Sequence, residues 1–187
     1  MILKKFKNSR RINMQEEPTN QVNDYSIEDF QIDCYAFNEI AEKHSLTSLK
    51  DITLQYELIA EETQEIKDKG IDFNDPTEVL DGVLDVMVTA LGLLQKLEYL
   101  GINVNKAMQD TAYNNLSKFP YSEDIAISTA QHYETKGVKV KVEYNSSYDL
   151  FVIKNESDKV MKPTGFESNN LANCIPLNLL MDGFKYD

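Results

Sequence analysis

Cations are scarce in this chain. Nineteen Lys and Arg stand against 31 Asp and Glu, a formal net charge of −12. Broad binding to the phosphate backbone of DNA or RNA needs a basic surface, so nucleic acid is not an expected partner. A polyanionic small molecule would have to be held by metal ions and a few well-placed lysines. Cysteine is scarce too: Cys34 and Cys174 lie far apart, without CxxC spacing. No secretion signal is recognised either, and the reading is of free thiols in the cytoplasm. Only two histidines are present, His44 and His132, and neither follows a Glu by three residues. The Glu-x-x-His signature of carboxylate-bridged di-iron bundles is therefore missing. No run is long and apolar enough to span a bilayer, so no membrane contact is expected. Internal repeats and low-complexity segments are lacking as well.

What the chain does have is acid in two organised stretches. The first is Glu61-Glu62-Thr-Gln-Glu65 and the second is Glu78-Val-Leu-Asp81-Gly-Val-Leu-Asp85. On helices, Glu62 and Glu65 fall at i and i+3, and Glu78, Asp81 and Asp85 follow at steps of three and four. Each helix then presents a column of carboxylates. An isolated ExxE is ordinary on a solvated helix face and decides nothing. Asp85 is different, because it is embedded in Val83-Leu84-Asp85-Val86-Met87-Val88, where an unpaired charge is costly to bury. Two carboxylates about 5 Å apart repel by roughly 0.8 kcal/mol in water and about 3 kcal/mol at an effective dielectric near 20, so several together call for cations. Hard carboxylate oxygens without His or Cys point to Mg²⁺ or Mn²⁺.

Around these stretches the chain divides into a basic and polar N-terminal tail (1–24), a helical domain (25–120) and a C-terminal extension (121–187). The tail begins with the five cations of Met1 to Arg11 and continues polar through Pro18, a composition that reads as a solvated arm. A first helix is expected from Ser26 as N-cap, with Asp29 at N3, to about His44. A second should start after Thr47 or Ser48 and end at Lys69-Gly70, with Gly70 as the residue beyond its C-cap. Asp75, Pro76 and Glu78 announce a third helix as N-cap, N1 and N3 of a capping-box variant. Glu78 thus has a competing role, which ranks it below Asp81 and Asp85 as a metal ligand.

From Leu80 to Leu100 the third helix is apolar almost all round. A central position or a second subunit is needed to cover it, and a homodimer is expected. Gly101 should break it and Asn103 should cap a fourth helix that closes near Asn115-Leu-Ser-Lys118. After Pro120, Val138 to Tyr144 alternates with period two and Leu150 to Ile153 is a short apolar run. The pair predicts a β-hairpin. Lys159-Val-Met-Lys162-Pro163 and Phe166 to Pro176 then read as an extended tail over the core.

Glu61-Glu62-x-x-Glu65, Glu78-x-x-Asp81-x-x-x-Asp85 and Asn115-Leu-Ser-Lys118 together resemble the all-α nucleoside triphosphate pyrophosphohydrolases. That superfamily contains MazG-like enzymes, phosphoribosyl-ATP pyrophosphatases and dimeric dUTPases. The resemblance is nearest to the MazG-like branch that continues into a short hairpin and a Lys-Val-x-Lys-Pro segment, and it covers roughly residues 27–176. It implies an all-α core, a four-helix bundle that dimerises, with a small C-terminal β-hairpin and extended tail. It departs from the usual pattern at Gly82, where an acidic residue would stand three before Asp85. Either Glu78 pairs with Asp81, or Asp81 works with Asp85; the apolar setting of Asp85 favours the latter.

The resemblance further implies Mg²⁺-dependent hydrolysis of a nucleoside triphosphate to the monophosphate and pyrophosphate, as in nucleotide-pool housecleaning or a dUTPase. Glu62, Glu65, Asp81 and Asp85, with Glu78 in reserve, would hold the ions. Glu61 or one of the ligand glutamates would take the proton of the attacking water. Lys118 and Lys162 would hold phosphate oxygens, and Asn115 a phosphate or sugar. Two rivals come from other classes: a phosphoribosyl-ATP or guanosine-tetraphosphate hydrolase, and a catalytically silent helical dimer acting through protein contacts.

Overall fold

A computed structural model describes residues 25–45 and 48–184. The expectation of a solvated basic arm falls on 1–24, outside the described residues. Helix α1 spans Ile27–Ile40, α2 Leu49–Glu65, α3 Pro76–Tyr99, α4 Val104–Leu116 and α5 Glu123–Thr135. Strands β1 (Val140–Asn145) and β2 (Leu150–Asn155) form an antiparallel hairpin, and a short α6 (Leu177–Asp182) closes the described chain. The described residues are mostly helical, with one small sheet on their C-terminal side.

The helix starts follow local chemistry. Ser26 and Asp29 form a reciprocal capping box at α1. Asn103 accepts from the Lys106 amide at α4. At α3, Asp75 accepts from the amides of Thr77 and Glu78, with Pro76 in the first turn. The expected return bond from Glu78 is not made, because the Asp75 amide already donates to the Gly70 carbonyl at 2.8 Å. That satisfies the last free donor of the cap. Gly101, at φ +86°, ends α3, and Ile102 N–H reaches back to the Leu97 carbonyl.

Two boundaries depart from expectation. Helix α1 stops at Ile40 rather than near His44. Helix α2 does not stop at Gly70 but passes into a π-helical turn, Ile66–Ile71, in which Gly70 is buried. A Cβ on Gly70 would lie 2.6 Å from Val79 Cγ2 and 2.9 Å from the Val79 amide nitrogen. Close approach of this turn to α3 is therefore the use made of the glycine, not a left-handed cap. Gly82 serves the same seam from the other side, since a Cβ there would sit 2.7 Å from Ile66 Cγ1.

Helix α3 is the hub, packed by α1, α2 and the π-helical turn. Polar side chains lie inside this packing: Gln55 donates to the Thr89 carbonyl and Gln95 to the Tyr35 carbonyl. The buried residues of α3 are Gly82, Gly92, Gln95 and Lys96, whereas Leu80, Val83 and Leu84 are 60%, 42% and 40% exposed. Its apolar surface is thus only partly covered within one chain.

On the C-terminal side, Ala126 and Thr129 of α5 and Ile153 of β2 are completely buried. The chain then folds back on β2, with Met161 N–H donating to the Ile153 carbonyl at 2.7 Å. The following segment runs back along α4. Asn114 donates to the Glu167 carbonyl, Asn169 to Thr111, and Asn103 N–H to the Cys174 carbonyl. The tail that the sequence places over the core is held there by α4, with a 3₁₀ turn at Leu171–Cys174. Both cysteines are free and buried. No helix of the described residues is long and apolar enough to cross a membrane.

Candidate metal centre

The acidic residues lie toward the end of α2 and in the first half of α3, two helices that pack on one another. Glu62 and Asp85 define the seam. The Glu62 carboxyl is held above its ordinary range, first by burial and then by the charges of Asp85, Glu65 and Glu61, with Lys69 pulling the other way. Asp85 therefore reaches Glu62 electrostatically across the helix pair, and Glu65 and Glu61 reach it along α2. Lys69, from the π-helical turn, donates to Glu65 Oε2 at 2.6 Å. Its ammonium is stabilised by that bond and by the fields of Glu65, Glu78 and Glu62. Glu78, set free from capping by the Asp75–Gly70 bond, belongs to this neighbourhood. Asp81 is exposed and is not among the charges that act most on Glu62 or Lys69.

The donor chemistry fits a hard divalent cation: carboxylate oxygens from two facing helices and no thiol or imidazole. A cation is in fact already drawn to the face, as the Lys69 ammonium. As they stand, however, no three Asp, Glu, His or Cys side chains among the described residues converge closely enough to hold an ion. Gly82 explains the missing acidic residue of the resemblance. Its backbone packs on Ile66, and a side chain there would have to displace that contact.

The residues expected to touch phosphate or sugar each have a partner of their own. Lys118 donates to Asn115 Oδ1 at 2.7 Å at the end of α4. Lys162 places its ammonium 4.9 Å from the centre of the Phe166 ring, and its carbonyl accepts from the Tyr133 hydroxyl. Among the described residues, no hydrogen bond or ion pair links these three to the carboxylate face. His44 packs edge-on against Tyr99, in keeping with a structural histidine. Sequence reasoning missed Lys69, although its i, i+4 spacing from Glu65 is the ordinary signal for a helical ion pair.

Comparison with models of known protein families, with characterised proteins and with solved structures gives no match.

Proposed function

We propose that the protein is a Mg²⁺- or Mn²⁺-dependent nucleoside triphosphate pyrophosphohydrolase, releasing the monophosphate and pyrophosphate in the cytoplasm. The observation that carries the reading is that Glu62, on α2, is raised first by burial and then by Asp85 from the packed helix α3 and by Glu65 and Glu61 along its own helix. Carboxylates that raise one another's protonation from two packed helices are what a bound cation would relieve. Glu62, Glu65 and Asp85 would hold the ions, with Glu78 or Asp81 completing the set. The bound ions would neutralise the triphosphate and acidify a water for attack at the α-phosphorus. Glu61, exposed beside Glu62, accepts the proton of that water. Lys118, Lys162 and Asn115 are the proposed phosphate and sugar ligands, on the strength of the resemblance.

The proposed assembly is a MazG-like helical bundle completed by a second copy, and what supports it is the uncovered Leu80, Val83 and Leu84 stripe of α3. A panel of nucleoside triphosphates with Mg²⁺, assayed for pyrophosphate and run beside light scattering, tests both parts. Pyrophosphate release by a species of twice the chain mass is expected. A scattering mass of one chain at micromolar concentration would remove the dimer. No release from any nucleotide, with no Mg²⁺-induced rise in melting temperature, would leave the silent interaction protein.

A further inference from the structure

We infer that the outer edge of β1 is an interface for a second copy of this chain, in which two β1 strands pair antiparallel about a two-fold axis at Val142 and join their hairpins into one four-stranded sheet. This contact is separate from the α3 stripe and owes nothing to the carboxylate seam. Backbone polarity shows which edge is open. On β2, the Ile153 carbonyl accepts from Met161 N–H, Asn155 N–H donates to the Lys159 carbonyl, and Phe151 N–H donates to the Pro120 carbonyl. These three residues turn their backbone groups away from β1, so the bonds that join the hairpin run through Leu150, Val152 and Lys154 to Asn145, Glu143 and Lys141. The alternate residues Val140, Val142 and Tyr144 therefore turn their N–H and C=O groups outward. Among the described residues, those groups have no hydrogen-bond partner. The far edge of β2 is already covered by the bridge to Val160, which leaves β1 as the open side of the sheet.

An open edge is a template for another strand, and the sequence of β1 selects β1 itself. With Val142 opposite the partner's Val142, Lys141 faces the partner's Glu143, and Glu143 faces the partner's Lys141. Both charge pairs fall at the closely spaced, non-hydrogen-bonded positions, where opposite charges help most. On the other face Val140 meets the partner's Tyr144, a β-branched residue against an aromatic one. Sliding by one pairing step in either direction sets Lys141 opposite the partner's Lys141, or Glu143 opposite the partner's Glu143, so charge singles out this register. In the single chain Lys141 and Glu143 are exposed and paired along the strand, ready to exchange that bond for the one across the axis. Once two copies have paired, neither edge of the sheet is free, and assembly through it stops at two.

The test is amide hydrogen exchange of the full chain, read residue by residue by NMR, on wild type, Lys141→Glu and Glu143→Lys. In wild type the Val140, Val142 and Tyr144 amides should exchange about tenfold or more slowly at near-millimolar chain than in dilute solution. Each single variant sets like charges across the axis and should lose that protection. Mixing isotope-labelled Glu143→Lys with unlabelled Lys141→Glu restores opposite charges at both positions and should bring the protection back. The inward amides of Lys141 and Glu143, or of the residues substituted there, should stay protected throughout, which shows that the hairpin is folded in every sample. A dimer through α3 alone would raise the mass and leave the three outward amides unprotected at every concentration, and that result overturns the β1 contact. Protection that does not depend on concentration would mean that the same chain covers the edge, and protection unchanged in the single variants would mean a different register or occupant; either result also overturns it.

Discussion

The two ends of the molecule handle acid in opposite ways. In the hairpin, carboxylates come with cations: Glu143 beside Lys141, Asp158 2.9 Å from Lys154, and Glu156 3.5 Å from Lys139. The Glu143 carboxyl is accordingly held below its ordinary range, chiefly by its bond to Lys141. At the α2/α3 seam, Glu62 is pushed the other way, by burial and three neighbouring acids against one lysine. Exposed pairs of the hairpin kind are worth little to stability and ask for nothing further. A gathered, under-neutralised set costs the metal-free fold free energy, and a sequence retains it when something else repays that cost. That cost is what the proposed metal centre would offset.

Charge removal on the two sides is the strongest way to break this comparison. Glu62→Gln should lower Mg²⁺-dependent pyrophosphate release by at least about 100-fold, in line with the loss of a metal ligand, and should blunt the Mg²⁺-induced rise in melting temperature. Glu143→Gln should leave both where they are. Equal effects from the two substitutions would mean that the seam is no more special than the hairpin.

How far this was legible beforehand depends on which physical signal carries each element. Capping is local, so Ser26 with Asp29, Asp75 with Pro76, Gly101 and Asn103 all announce helix ends that the structure bears out. The π-helical turn is not local. Gly70 reads as a stop signal, yet it lies inside the π-helical turn, where its missing side chain allows close approach to Val79. Helix α5 escapes notice for a different reason: its buried face is made by small residues, Ala126 and Thr129, while Ile125 and Ile127 are 42% and 45% exposed. Its apolar residues mark the wrong face. Helical periodicity aligns Glu62 with Glu65 on α2 and Glu78 with Asp85 on α3, but it does not bring the two helices' carboxylates together, and among the described residues no three of them converge on one point. Spacing says nothing of where the end of α4 lies, and so Asn115 and Lys118 carry no geometric link to the carboxylates.

A smaller effect sharpens the comparison at Asp85, which is half-buried on α3 and acts on Glu62. Asp85→Asn should abolish pyrophosphate release, yet in chelator the variant should be more stable than wild type by about 1 kcal/mol, since it removes one charge from a like-charged set. A partner in a structural ion pair behaves oppositely, and its loss costs several kcal/mol when buried. Denaturant melts of the chelated proteins, with activity in parallel, read the sign. A markedly less stable variant that still hydrolyses nucleotides at the wild-type rate would make Asp85 structural and move the centre elsewhere.

The smallest expected effect is also the one in which the two regions should differ in sign. Glu62 has a folded-state carboxyl raised above its unfolded value, so over that interval the folded chain binds more protons than the unfolded one. Stability contributed by this group is fully present below the unfolded value and is lost as pH rises through the folded one. Glu143 is lowered, so its contribution is present above the unfolded value and is lost as pH falls through the folded one. Metal-free melts between about pH 3.5 and pH 7, across the carboxylate range, should therefore show wild type losing ground to Glu62→Gln as pH rises and gaining ground on Glu143→Gln. Mg²⁺ should cancel or invert the first slope, because a bound cation favours the ionised carboxylate, and should leave the second untouched. Two slopes of the same sign in chelator would show that Glu62 is neutralised as fully as Glu143, and a seam without charge repulsion would have no need of an ion.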